Sequence, residues 1–193
     1  MKSDIISLLE ESISVKQQYL NDSAELDKIE RLAQLCIAAL RQGNKILLAG
    51  NGGSASDAQH IAAELVGRFE CQRPGLAAYA LNTNASSMTA IANDFSYAHI
   101  FARQLQALAR PGDVFIGFST SGNSENVLQA VTEAKAHGVT AVGFTGDGGG
   151  KMADLCDLCL MVPSRRTARV QEVHICIGHI LCGLIENHLQ PDD

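Results

Sequence analysis

Two rhythms of apolar positions alternate along the chain: short continuous runs that read as buried strands, and longer stretches with apolar residues three and four apart that read as helices. Residues 3–21 carry Ile5, Ile6, Leu9, Ile13 and Leu20 as one helical stripe, with charge on the opposite face. Asn21-Asp22-Ser23 offers a turn with N-cap chemistry. The second helix buries Ile29, Leu32, Ala33, Cys36, Ile37 and Leu40, and Gly43 closes it. The apolar run Ile46-Leu47-Leu48-Ala49 is too short for a helix and predicts a buried strand; a helix follows from about Ser56. Further strands are predicted over 76–81, 113–118, 139–144 and 158–162, with helices over 86–93, 101–109 and 124–137 and a last helix over 167–188.

Strands this apolar, separated by helices, predict an α/β fold: a five-stranded parallel sheet between two helical layers. Ligands of such sheets lie beyond the carboxyl ends of the strands, near the point where strand order reverses. Two leading helices exceed what a minimal unit needs, so the pair over 1–43 is expected to pack on the sheet and on a neighbouring subunit. With no repeat, low-complexity tract or linker, residues 1–193 are expected to form one domain.

Candidate chemistry begins where the first strand ends. Gly50-Asn51-Gly52-Gly53-Ser54 is a glycine turn leading into a helix N-terminus, where unpaired N–H groups and the helix dipole favour an anion. Just inside that helix His60 and Glu64 stand four residues apart, on one face. The third strand ends in Ser119-Thr120-Ser121-Gly122-Asn123-Ser124, four hydroxyls in six residues, which suits a phosphate monoester on an uncharged sugar. Three look-alikes fall away. Gly50-x-Gly52-x-x-Ala55 resembles a dinucleotide fingerprint, but the second strand ends Leu81-Asn82-Thr83 without the acidic residue that motif requires. Gly146 to Lys151 lacks the first glycine and the final Ser/Thr of a P-loop, having Thr145 and Met152 there, and reads as a turn before a short helix. Gly117 to Ser121 lacks the second glycine of a nucleophile elbow.

Composition narrows the class further. Hydrophobic residues at 46% and charged residues at 19% fit an ordinary globule, and the net charge of −6 argues against a nucleic-acid surface. No targeting segment is evident, and no window of about 20 residues reads as both uncharged and mainly apolar, so a cytoplasmic protein without a membrane partner is expected. Six cysteines sit mostly in apolar segments. Cys156-x-x-Cys159 falls on a predicted strand with no second such pair, and reads as core rather than as a redox or zinc site.

The last helix carries Gln171 and His179, about 80° apart around its axis and about 12 Å apart along it. Either the two stretch toward one ion, or one of them serves a neighbouring chain; Gly178 is expected to leave open space beside His179. His99, His137, His174 and His188 read as surface or satisfied core residues, and His60 and His179 stand out only in company with Glu64 and Gln171.

Asn51-Gly52-Gly53-Ser54, Asp57-Ala58-Gln59-His60, Glu64-Leu65, Asn93-Asp94-Phe95, Ser119 to Ser124, and Gln171-Glu172-Val173-His174 with His179 occur in that order. Together they resemble the phosphoheptose isomerases of the sugar isomerase (SIS) fold, over nearly the whole chain. The resemblance implies a flavodoxin-like SIS architecture and conversion of sedoheptulose 7-phosphate to D-glycero-D-manno-heptose 7-phosphate, for the heptose of bacterial surface polysaccharide. It also implies a homotetramer with interfacial sites and one zinc ion per subunit, held by His60, Glu64, Gln171 and His179. Substrate contacts would come from Asn51, Gly52, Gly53, Ser54, Glu64, Arg68, Asn93, Asp94, Ser119, Thr120, Ser121, Ser124 and Gln171.

On this resemblance Glu64 is the expected base at carbon and His179 the acid–base partner at oxygen. Ala168 stands where some members carry an aspartate. A non-enzymatic branch that binds the replication initiator DnaA also has Ala there but lacks the glutamate matching Glu64. A binding module of that kind, and an isomerase of another ketose phosphate, are the competing readings.

Overall fold

The computed structural model describes residues 1–189; residues 190–193, the end of the expected single domain, lie outside the described residues. In chain order it contains α1 (Lys2–Leu20), α2 (Ser23–Arg41), β1 (Ile46–Gly50), α3 (Gly53–Val66), β2 (Ala78–Ala80), α4 (Ala85–Asp94), a 3₁₀ turn (Tyr97–His99), α5 (Ala102–Leu108), β3 (Val114–Ser119), α6 (Glu125–Ala136), β4 (Thr140–Thr145), α7 (Met152–Leu155), β5 (Leu158–Met161) and α8 (Thr167–Leu189). All strand pairings are parallel, in the order β2-β1-β3-β4-β5. This is the flavodoxin-like order, and strand order reverses between β1 and β3.

Strand residues alternate between two cores. Ile46, Leu48, Val114, Ile116, Phe118, Val142 and Phe144 face the layer of α2, α3 and α8. Leu47, Ala49, Phe115 and Ala141 face the layer of α5 and α6. Asp22 caps α2, accepting from the N–H groups of Ala24 (3.1 Å) and Glu25 (3.2 Å), as its position predicts.

Several boundaries differ from expectation by one to three residues, and three of them have a clear local reason. The helix expected from about Ser56 begins at Gly53, because Gly52 at φ +56° turns the chain straight from strand to helix. The β2 strand is three residues long, since this edge strand pairs only with Ile46, Leu47 and Leu48. The β3 strand starts after Asp113, whose buried carboxylate accepts from the Lys45 and Arg110 N–H groups.

One helix bears on the membrane expectation, and Arg169, Glu172 and Glu186 interrupt its apolar stretch. By length and composition, the 23-residue α8 is apolar enough to cross a bilayer. Nearly half of its apolar window is buried within the protein, with Val170, Val173, Ile177, Leu181 and Ile185 in the core.

Candidate active site

Both glycine- and serine-rich turns emerge at the switch point between β1 and β3, where a parallel sheet leaves its crevice. Gly50 packs so closely on Ser54 that a Cβ would fall 2.6 Å from the Ser54 carbonyl oxygen. The Asn51 side chain is locked in a reciprocal amide pair with buried Asn126 (2.9 and 2.8 Å), and the Tyr97 hydroxyl donates to the same Asn51 Oδ1 at 3.1 Å. In the second turn the Ser119 and Ser124 hydroxyls lie 2.8 Å apart. The glycine-rich segment that mimics a P-loop supports this turn from behind: the N–H groups of Gly146 and Met152 donate to the carbonyls of Thr120 and Gly122, both at 3.1 Å.

Between the two turns lies a cavity of about 320 Å³, lined by Gly52, Gly53, Ser54, Ser119, Thr120 and Ser124, with Thr167 and Gln171 of α8 closing it. Backbone N–H groups at two helix starts and the hydroxyls of Ser54, Ser119, Thr120, Ser124 and Thr167 line it, a donor set for a phosphate. A larger hollow of about 470 Å³ between α2 and α8 has Ala33, Ile37 and Leu184 on its walls, with Glu30, Gln34, Arg41 and His188, and holds neither of the two turns.

Farther along α3 stands a second cluster. His60 Nε2 lies 3.1 Å from Glu64 Oε1 and 3.5 Å from His179 Nε2, and one donor atom from each residue falls within 4.8 Å of the others. Two imidazole nitrogens and a carboxylate converging in this way form a possible metal site. Phe69 stacks on His179 with ring centroids 5.7 Å apart. Asp57, one turn before His60, has a buried Oδ2 without a hydrogen-bond partner among the described residues; burial pushes its carboxyl up to about 6, and His60 acts in the opposite sense. The sequence offered Asp57 only as part of a motif, and it offered nothing for Phe69 or Asn126.

Residues expected around one ligand are therefore gathered in two groups. Three of the four residues expected around an ion meet, whereas the Gln171 side chain lies against Gly53 in the cavity, within 3 Å of where a Cβ would stand. Gly178 does not leave open space: Ile61 fills it, 2.5 Å from where a Cβ would be. Ser121 is exposed at the edge of the serine turn. Arg68, Asn93 and Asp94 are exposed and lie outside the cavity lining; the Asn93 amide donates to Asp94 Oδ1 at 2.9 Å. Ala168 is exposed in the first turn of α8.

The remaining histidines and cysteines are as the sequence suggests. His174 is fully buried between Phe118 and Phe144, donates from Nε2 to the Thr145 carbonyl (3.1 Å), and is pushed down to about 4 by burial. All six cysteines are free, and burial pushes the Cys156 thiol up to about 12.

Fold and site together define a SIS domain, and the model of that family matches residues 11–146. A phosphoheptose isomerase of Aneurinibacillus thermoaerophilus is 55% identical over 186 residues, covering 96% of this chain and 94% of the relative. One from Burkholderia pseudomallei is 54% identical over 185 residues, with the same coverage. The structure of phosphoheptose isomerase GmhA from Neisseria gonorrhoeae superposes with a TM-score of 0.90 at 42% identity, over 96% of this chain and 98% of that one. That of a phosphoheptose isomerase from Francisella tularensis gives 0.92 at 37% identity, over 96% and 97%. The chain belongs to the phosphoheptose isomerase family.

Proposed function

We propose that this protein interconverts sedoheptulose 7-phosphate and D-glycero-D-manno-heptose 7-phosphate. One relationship carries the proposal. Gly53 and His60 are seven residues apart on α3, so they share a face and are separated by about 10 Å along the axis. That spacing lets a single extended sugar phosphate rest its phosphate in the cavity and bring its carbonyl end to Glu64 and His179.

Isomerisation moves one proton between C1 and C2 and another between O1 and O2. Glu64 holds Oε1 against His60, leaving Oε2 to take the proton from C1 of the ketose and return it to C2. His179 carries the second proton from O1 to O2, with Phe69 shielding one face of its ring. The donor set of His60, Glu64 and His179 suits zinc, and these residues would hold it, while Gln171, the fourth expected ligand, lines the cavity. Bound there, zinc would polarise the carbonyl and stabilise the enediolate.

Two features favour a homotetramer with shared sites. The α4 helix buries none of its residues, and it carries Asn93 and Asp94; α1 leaves Ile5, Leu9, Ile13 and Leu20 more than half exposed. A neighbouring subunit covering these faces would bring Asn93, Asp94 and Arg68 to a site, and the α1–α2 pair would pack across that junction. A cytoplasmic location and a place in surface-polysaccharide heptose synthesis accord with the family. The decisive experiment is incubation of the zinc-loaded protein with sedoheptulose 7-phosphate, following the aldose product by NMR. Absence of turnover by folded protein would overturn the proposal.

A further inference from the structure

The loop between α3 and β2 is held by a buried ion pair that neither the cavity nor the acid–base cluster contains. The side chains of Arg73 and Glu186 are each only 1% exposed, with Nε 3.0 Å from Oε1. Their contact is an ion pair rather than an aligned hydrogen bond, for Arg73 Nε has no acceptor in line among the described residues. The other groups of both side chains are spent on backbone. Glu186 accepts from the N–H of Phe69 (3.1 Å), Glu70 (2.7 Å) and Cys71 (2.8 Å). Arg73 donates to the carbonyls of Glu64 (2.9 Å), Leu65 (2.8 Å) and Pro74 (3.1 Å).

Two of those carbonyls belong to the last turn of α3, which lacks intrahelical partners, and one is that of Glu64 itself. The guanidinium thus fixes the helix turn from which the Glu64 side chain projects. On the other side, Glu186 fixes the backbone of Phe69, whose ring stacks on His179 with an interplanar angle of 22°. One buried pair therefore reaches both members of the acid–base couple, Glu64 through its own carbonyl and His179 through Phe69. Burying two charges is a poor route to stability, because desolvation offsets most of the attraction. An apolar pair would fill the same space but could not engage six backbone groups.

We propose that Arg73 and Glu186 are positioning residues for Glu64 and His179, with Phe69 transmitting the constraint to the histidine ring. The proposal rests on the isomerase reading above, and its test separates the two. Steady-state kinetics on sedoheptulose 7-phosphate compare wild type with Arg73→Lys, Glu186→Gln and Phe69→Leu, each checked for a cooperative thermal melt. Histidine ring resonances are recorded by NMR on the same samples without substrate. A misplaced catalytic group lowers kcat by about tenfold to a hundredfold, while KM should stay within about twofold because the phosphate cavity lies two turns away. The His179 ring signals should shift in Glu186→Gln and in Phe69→Leu, where the stack is loosened or lost.

Folded variants with wild-type kcat and unmoved His179 signals would overturn the proposal, leaving the pair a structural one. Should Arg73→Lys and Glu186→Gln fail to fold, Phe69→Leu decides, since it leaves the ion pair in place. Should wild type show no turnover, the isomerase reading fails by itself, and the ring signals alone decide whether the loop holds His179.

Discussion

His60 and His179 face each other nitrogen to nitrogen, 3.5 Å apart, from helices far apart in sequence. Neutral imidazoles can satisfy that approach only with complementary tautomers, whereas a shared cation satisfies both lone pairs together with Glu64. The protein is therefore expected to bind one zinc per chain by calorimetry. His60→Ala and His179→Ala should each weaken binding by about a hundredfold or more, in line with loss of a ligand from a small donor set. Undiminished binding in both would place the metal elsewhere.

Glu64→Gln keeps the size of the side chain and an oxygen toward His60 but removes the base. Turnover should fall by about 10²–10⁴-fold, the usual contribution of a positioned acid–base group. The melting temperature should hardly change, because Glu64 is only partly buried and its one side-chain partner among the described residues is His60. A variant that still turns over near the wild-type rate would assign proton transfer to another residue.

The glycines of the two turns should respond differently to alanine. At Gly53 the added methyl meets only the end of the Gln171 side chain, which can swing aside. KM should rise by about tenfold while urea stability stays within about 0.5 kcal/mol. At Gly122 the backbone stands at φ +65°, with the Gly149 and Gly150 backbone where the methyl would go. Stability there should fall by more than the 1–2 kcal/mol of left-handed strain alone. Equal effects at the two sites in urea melts would contradict this reading of the turns.

His174 predicts a pH dependence of stability. Burial lowers it from 6.5 to about 4, so between those values the unfolded chain binds a proton that the folded protein does not. Stability contributed by the neutral ring is present above pH 6.5 and lost as the pH falls toward 4, by up to about 3 kcal/mol. Asp57, raised to about 6, acts in the opposite direction over much of that range. Denaturant melts of wild type and His174→Gln should therefore be compared at pH 7 and pH 4.5. The difference between them should shift in favour of the variant at the lower pH, and an unchanged difference would remove His174 as the cause.

What could be read from the sequence depended on whether a signal was local. Ile46 and Leu48 against Leu47 and Ala49 already imply a strand buried on both sides, and the structure divides them between two cores. His60 and Glu64 share a helix face by spacing alone. The start of α3 is not legible locally, because Gly52 and Gly53 look like loop by composition, while only the φ of Gly52 shows that the helix has begun. Gly178 looked like space because nothing local names Ile61 as its neighbour. The pairings of Asn51 with Asn126 and of Arg73 with Glu186 join distant segments. No periodicity or motif records such a meeting; it exists only once α6 and α8 are packed.

Gln171 reaches Gly53 at one end of the site, and at the other the close packing of Gly178 on Ile61 holds α3 and α8 together. Two rigid rods fixed in this way behave as the jaws of a calliper, with the phosphate seat at one mark and the acid–base pair at the other. On the proposed reading, selection by length would be a property of the scaffold: a ketose phosphate with a shorter carbon chain, once seated, would hold its carbonyl short of Glu64, whatever the configuration of its hydroxyls.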